Sequence, residues 1–390
     1  MKVVKLCIGE WDNASRDKRE LGVCKELGFD ASVIAKGDET HLDGYVDGFY
    51  VKRFQTRLFG EGTFVLANRI AASLKLAKDL RRENDISVLS CHDLIALAIG
   101  YLSNIGKAKK AILIYDSHEF EIGRNIQRSK MRKKFIVCLE RFLIKKCAFS
   151  IMVNDSIADE VKRIHHLKKR PIVARSTPEL WEVNCDVCSK EREKMLAILE
   201  PGVEYLLSTH GNLCPDRGIE QVIEVISQIG NLGLIILGNG EKEYVQGLMD
   251  MVRELSCDKR VLFFDAVPQN QIWKVVGATD INMVMVQPSS ASYIYSLPNK
   301  FFEAIQSETP VIASDLPEMA KLVDNYQIGL HCSPQDTGAI KGCVEKMCSD
   351  KNFYADCKEA VRKAKRELCW EKEKQSLKEA YSGILIENMQ

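Results

Sequence analysis

Short apolar runs alternate with longer amphipathic stretches along the first 175 residues. Val3–Ile8, Ala31–Ala35, Ile86–Leu89, Ala111–Tyr115 and Phe149–Val153 read as buried strands, with Arg16–Leu27, Phe64–Arg82, Leu94–Asn104 and Met131–Cys147 as helices between most of them. Strands that alternate with helices predict parallel sheets joined by crossovers. The rhythm breaks over 176–202, where Pro178, Trp181, the charged run Lys190–Lys194 and Pro201-Gly202 predict a linker with one polar helix. It resumes with strands at Tyr205–His210, Leu234–Leu237, Val261–Phe264, Ile281–Val286 and Pro310–Ala313. In the first helix here Ile219, Val222, Ile223, Ile226 and Ile229 share one face. The pattern predicts two doubly wound α/β domains, 1–175 and 203–369, without a fixed-period repeat. A long charged helix over Lys358–Ile386 follows, with Trp370, Leu377, Ala380 and Tyr381 as its apolar contacts; its end, about 370–390, is expected to pack back on the first domain.

Composition narrows the class. The 390 residues are 46% hydrophobic, enough for two or three cores. A net charge of +1 gives no whole-chain footprint for nucleic acid. No run approaches the ~18 apolar residues of a spanning helix, and Met1 to Gly9 lacks a signal-peptide layout, so a cytoplasmic protein is expected. The 14 cysteines are scattered, and only Cys185 and Cys188 form a CxxC. A zinc site needs two further ligands, and no second CxxC or HxxxH supplies them; no metal is expected.

Chemistry in such sheets sits just beyond the carboxyl ends of the strands. Gly211-Asn212-Leu213-Cys214-Pro215-Asp216-Arg217-Gly218 follows one strand and precedes a helix. The glycines allow close approach and Arg217 is a forked phosphate donor, unless it is simply solvated. Gly238-Asn239-Gly240 lacks the third glycine of a dinucleotide fingerprint, with Glu243 in its place, and reads equally as a tight turn. Ser296-Leu297-Pro298-Asn299-Lys300-Phe301-Phe302-Glu303 is the most informative stretch. Pro298 suits a helix start, which puts Lys300 and Glu303 in the first turn. There a carboxylate accepts two hydrogen bonds from a diol and an ammonium neutralises a diphosphate; alternatively Glu303 only complements the helix dipole. In the first domain His118 and Glu119 follow a strand, as do His92 and Asp93. Asp116 is placed to orient His118, and Arg16 either reaches a ligand or is an exposed helix residue. The stretch Lys130–Lys146 is basic and amphipathic. It fits packing on the sheet or, alternatively, peripheral contact with an anionic membrane.

Together these motifs resemble the GT-B glycosyltransferases of family 4 type, the glycosyl transferases group 1. Leu297-Pro298-Asn299-Lys300-Phe301-Phe302-Glu303-Ala304, followed by Thr309-Pro310-Val311-Ile312-Ala313-Ser314-Asp315-Leu316-Pro317, looks like their donor-site signature. Gly211-Asn212 with Pro215-Asp216-Arg217-Gly218-Ile219-Glu220 is similar to the first loop of their second domain. Asp12 with Ser15-Arg16 and Arg19-Glu20, His92-Asp93-Leu94, and Tyr115-Asp116-Ser117-His118-Glu119 resemble their N-terminal motifs. The resemblance covers nearly the whole chain in order. It implies two Rossmann-like domains facing each other across a cleft. The nucleotide-diphosphosugar, UDP rather than GDP, would lie mainly on the second domain, on Gly211, Asn212, Arg217, Gly238, Asn239, Gly240, Ser296, Asn299, Lys300 and Glu303. Glu303 would hold the ribose, while Arg217 and Lys300 stabilise the leaving diphosphate. His118 and Glu119 would join them as catalytic groups, with Arg16, His92, Asp93 and Asp116 lining the acceptor side.

The implied reaction is retaining and metal-independent, with a glycan or lipid-linked saccharide as acceptor in polysaccharide biosynthesis, in the cytoplasm or on the inner face of its membrane. No Asp-x-Asp occurs anywhere. Tyr295 stands where many members carry a second Glu, which bears on donor-sugar choice. A nucleotide-sugar epimerase on the same scaffold and a non-catalytic nucleotide-binding scaffold are the competing readings, with a nicotinamide oxidoreductase last.

Overall fold

The computed structural model describes residues 1–9, 11, 14–37, 42–55, 65–123 and 130–387; Asp12 and Phe64 lie outside them. The chain divides into two compact units, Met1–Arg175 with Lys374–Gln390, and Ser176–Glu373.

The first unit runs β1 (Lys2–Cys7), α1 (Ser15–Glu26), β2 (Asp30–Gly37), β3 (Gly44–Val46), β4 (Phe49–Gln55), α2 (Val65–Arg82), β5 (Ile86–His92), α3 (Asp93–Asn104), β6 (Ile112–Asp116), α4 (Lys130–Ile144), β7 (Phe149–Met152), α5 (Asp155–His165) and β8 (Ile172–Val173). Its sheet has the order β3-β4-β2-β1-β5-β6-β7-β8, parallel except for the β3–β4 hairpin. Central strands are apolar on both faces because helices cover both. Phe49 and Val51 on β4 are buried while Tyr50 and Lys52 are exposed, the alternation of a strand with one covered face. Asn154 caps α5, its side chain accepting from Ile157 N at 2.9 Å.

The second unit runs α6 (Cys185–Ile198), β9 (Tyr205–His210), α7 (Ile219–Gln228), β10 (Leu232–Leu237), α8 (Lys242–Glu254), β11 (Val261–Phe264), α9 (Ile272–Val276), β12 (Ile281–Val284), α10 (Ala291–Ile294), α11 (Asn299–Gln306), β13 (Val311–Ser314), α12 (Pro317–Tyr326), β14 (Gly329–Cys332), α13 (Thr337–Ser349) and α14 (Lys351–Glu367); α15 (Trp370–Glu387) follows and joins the first unit from Lys374 on. Its all-parallel sheet has the order β11-β10-β9-β12-β13-β14. Strand direction of growth reverses between β9 and β12, and ligands bind at the carboxyl ends beside such a switch point. The apolar stripe of α7 is buried against β9, β10 and α13.

Two expectations change. The segment 176–202 packs into the second unit, because Cys188, Met195 and Leu199 on α6 bury themselves against Leu206, Ile235 and Ala278. The single tail helix is two helices. Gln306 Nε2 donates to Lys365 O at 2.8 Å and Leu368 O at 3.1 Å, satisfying terminal carbonyls of α14 and ending it at buried Leu368.

Candidate functional site

The second unit gathers side chains at the carboxyl ends of β9 and β12 and at the start of α11. Asn282, in the middle of buried β12, donates through Nδ2 to Ser208 O at 3.2 Å and Ser208 Oγ at 2.9 Å. The same amide meets His210 Nδ1 at 3.1 Å, which fixes the ring proton on Nε2. His210 Nε2 then donates to Glu303 Oε2 at 3.1 Å, and Gln269 Nε2 donates to Glu303 Oε1 at 2.7 Å. Glu303 is therefore a buried carboxylate oriented from both sides. A diol has to share it with His210 and Gln269 or displace Gln269.

One helical turn earlier, Lys300 is 8% exposed. Burial and the nearby Arg217 guanidinium push its pKa down to about 7. The guanidinium of Arg217 lies 5.1 Å from the Tyr293 ring centroid, and its Nε contacts Cys214 Sγ at 3.4 Å. Neither cation has a carboxylate partner among the described residues. Two cations held together by the fold without an anion between them suit a polyanionic ligand. Asn299 is exposed at the first position of α11. Ser296 Oγ is buried without a hydrogen-bond partner among the described residues.

The glycines divide in two. At Gly211, φ is +107° and a Cβ would meet nothing within 4 Å, so the backbone is open to a ligand; Asn212 beside it is exposed. Gly238 and Gly240 instead serve loop packing, since a Cβ would come 1.9 Å from Gly211 O and 2.2 Å from Leu213 O respectively. Asn239 Oδ1 accepts from Ala266 N at 3.0 Å, tying in the loop after β11.

The first unit holds a buried ion network at the same ends of β1, β5 and β6. Lys5 Nζ lies 2.8 Å from Asp17 Oδ1 and 2.7 Å from Asp116 Oδ2, and also bonds Glu20. Burial opposes its charge, yet Asp116, Asp17 and Glu20 hold the ammonium well above its usual range. Arg16 is 7% exposed, with its guanidinium 2.9 Å from Asp116 Oδ1 and a bond to Ala174 O. It is neither an exposed helix residue nor a free arm, because α1 presents it to the sheet. His118 Nε2 contacts Asp116 Oδ2 at 2.9 Å and Asp17 Oδ1 at 3.3 Å, while His92 Nδ1 contacts Asp17 Oδ2 at 2.7 Å. The two rings stack with centroids 3.8 Å apart. Burial works against both imidazolium forms, but Asp17 raises the pKa of His92 to about 11, and Asp116 with Asp17 raises that of His118. Asp93 adopts φ +65° and accepts from His118 N at 3.1 Å, whereas Glu119 is exposed.

Asp17, His92 and Cys7, or Asp17, Asp116 and His118, are close enough to ligate a metal. Asp17 and Asp116 already take the Lys5 ammonium as their counter-ion. Lys5, Asp17, His210, Gln269 and Asn282 escaped the sequence reading. Their signal was a polar residue inside or beside an apolar strand, at Lys5, His210 and Asn282.

On α4 only Glu140, Leu143 and Ile144 are buried, while Met131, Phe135 and Phe142 are 83%, 65% and 48% exposed. The expected packing on the sheet therefore holds for the end of this helix alone.

Residues 191–364, most of the second unit, match the family model of the glycosyl transferases group 1. The structure of HepE from Anabaena in complex with UDP superposes with a TM-score of 0.77 at 15% identity, covering 98% of this chain and 100% of that one. Sucrose-phosphate synthase from Thermosynechococcus elongatus superposes with a TM-score of 0.76 at 15% identity, covering 99% and 100%. The probable glycosyltransferase WbjE of Pseudomonas aeruginosa is 21% identical over 140 residues, 35% of this chain. The matched stretch spans 34% of the length of that curated relative. The chain has the GT-B fold, and the stretch similar to the glycosyl transferases group 1 lies in its second unit.

Proposed function

From the premise of this similarity to the group 1 glycosyltransferases in the second unit, we propose that the chain is a retaining, metal-independent glycosyltransferase. It moves a hexosyl group from a UDP-sugar to a glycan or lipid-linked saccharide in polysaccharide biosynthesis. The observation that carries this reading is the pairing of Arg217 with buried Lys300 at the start of α11, one turn from Glu303. Glu303 anchors the ribose diol, and the two cations receive the diphosphate. As the glycosidic C–O bond breaks, charge grows on the departing diphosphate, and fixed cations stabilise that state more than the ground state. They supply what a metal would supply elsewhere. The new C–O bond forms on the same face of the sugar, and the acceptor proton passes to a phosphate oxygen. In the first unit His118, held by Asp116 and Asp17, with Glu119, His92, Asp93 and Arg16, makes the acceptor side. The crystallised complexes of HepE with UDP and with UDP-glucose support a uridine donor for this fold. The basic, apolar-tipped outer face of α4 suits a lipid-linked acceptor on an anionic cytoplasmic membrane face; no described helix is long and apolar enough to cross a membrane.

Calorimetric binding of UDP, GDP and NAD to wild type and Glu303→Ala tests the site. Loss of a charge-assisted contact to ribose costs about 1.5–3 kcal/mol, or roughly ten- to a hundredfold in affinity. UDP binding that weakens by this much, with turnover unaffected by EDTA and retained anomeric configuration in the product, is the expected result. Preference for NAD, or indifference to Glu303, sinks the donor assignment. Conversion of the donor without acceptor would identify an epimerase instead.

A further inference from the structure

The second unit has another polar cavity, at the amino ends of its strands. It has a volume of about 260 Å³ and lies between α6, the residues preceding β12, the end of α11 and α14. Because α11 begins with Asn299-Lys300 and the cavity touches Ser307 and Glu308 just past its end, the length of this helix, about 12 Å, separates it from the donor residues.

Its charges do not pair off. Arg192 Nη2 lies 2.9 Å from Asp280 Oδ2, and Arg362 Nε lies 3.2 Å from Glu308 Oε2. Glu308 also takes Lys365 at 2.9 Å, and the Tyr354 hydroxyl donates to Asp280 O at 3.1 Å. Both carboxylates lining the cavity are thereby engaged. Lys358, one turn from Tyr354 and one from Arg362 on the same face of α14, has neither an ion pair nor a hydrogen bond among the described residues. Burial and the adjacent Arg362 push its pKa down, as happens to a half-buried cation without a counter-ion. The cavity is thus lined by three cations and two carboxylates, with one cation uncompensated.

We infer that this cavity is a second ligand site that takes a small phosphomonoester, its phosphate on Lys358 between Arg192 and Arg362 and its hydroxyls against Asp280 and Glu308. A cavity smaller than the roughly 300–1,000 Å³ of drug-sized ligands is too small for a nucleotide diphosphate and suits a compact metabolite. The carboxylates disfavour a plain anion and accept from hydroxyl groups, which selects a hydroxylated phosphate over a bare one.

The test is calorimetric titration of the full chain with glycerol 3-phosphate, inorganic phosphate and glycerol, each with UDP already saturating so that Arg217 and Lys300 are occupied. Glycerol 3-phosphate is expected to bind best, inorganic phosphate more weakly and glycerol not at all. Lys358→Met should weaken glycerol 3-phosphate by about tenfold or more, the weight of one hydrogen bond to a charged group, while Lys358→Arg retains it. UDP affinity should be the same in both variants, which also shows that they fold. No saturable binding of either phosphate probe in the millimolar range, or equal binding by Lys358→Met, overturns the assignment. If UDP itself does not bind, the donor reading fails on its own. The titration then proceeds on Arg217→Ala combined with Lys300→Met, where phosphate has lost both cations of the other site.

Discussion

The proposed donor role of Lys300 predicts that donor binding depends on pH. Burial and Arg217 lower its pKa to about 7 in the free protein, so at neutral pH about half of the chains carry a neutral amine there. A bound diphosphate places negative charge against it and restores the ammonium toward its usual pKa of about 10.4. Binding must then take up a proton: about 0.1 near pH 6, about 0.5 near pH 7 and nearly one near pH 8.5. The apparent Kd rises with the neutral fraction, by roughly thirtyfold between about pH 6 and pH 8.5. UDP-glucose is the right titrant, because its diphosphate does not itself ionise in that window. Calorimetry in two buffers of different ionisation enthalpy reads the proton directly. Lys300→Met should bind weakly with no proton uptake, and Lys300→Arg, always charged, should bind with no uptake either. A wild-type Kd that is flat across the window, or a slope that survives in Lys300→Met, refutes the reasoning.

The ion network of the first unit predicts a pH profile of stability. Asp17 and Asp116 are held well below the usual carboxylate range by Lys5, Arg16 and His118, so their contribution is present above about pH 4 and is lost as pH falls. His92, raised to about 11, contributes fully below about pH 6.5 and loses that contribution as pH rises toward 11. Denaturant midpoints should therefore decline above neutrality, and His92→Asn should flatten the decline. Asp116→Asn strands Arg16 and takes one of three carboxylates from Lys5, and should cost about 3–5 kcal/mol, read from the same unfolding curves. Gly238→Ala drives a Cβ to 1.9 Å from Gly211 O and should cost more than about 2 kcal/mol, with UDP affinity falling as the loop shifts. Lys133→Glu with Lys134→Glu should release the chain from anionic vesicles in sedimentation, while binding to zwitterionic vesicles stays unchanged.

The βα rhythm was readable because buried parallel strands are continuous apolar runs and the helices between them carry a 3.6-residue stripe. β14 was not, because Gly329–Cys332 is a four-residue edge strand that is only half-buried. The β3–β4 hairpin was missed too, although Phe49, Tyr50, Val51 and Lys52 alternate as a strand with one covered face should. Arg217, Lys300 and Glu303 stood out because each lies at or near the start of a helix, but spacing alone left their roles open and the family resemblance singled them out. Lys5 did not. A lysine in an apolar strand looks like noise until its partners Asp17, Glu20 and Asp116, up to 111 residues away, are seen around it. His210 and Gln269 were hidden for the same reason, since Glu303 joins them only through the fold.

The return of α15 to the first unit bears on how the protein is made. Tyr381 is fully buried, its ring lying edge-on to Phe29 and Phe149 and its hydroxyl bonded to Glu20. A ribosome delivers that residue only after every strand of the second unit has emerged. Until then the first unit exposes an open seam, with Glu20 lacking one of its donors and two aromatic rings in water. The order of maturation is therefore the reverse of the order of synthesis. The later-made domain can close on itself while the earlier one waits, dependent on chaperones or on speed, for the helix that finishes it.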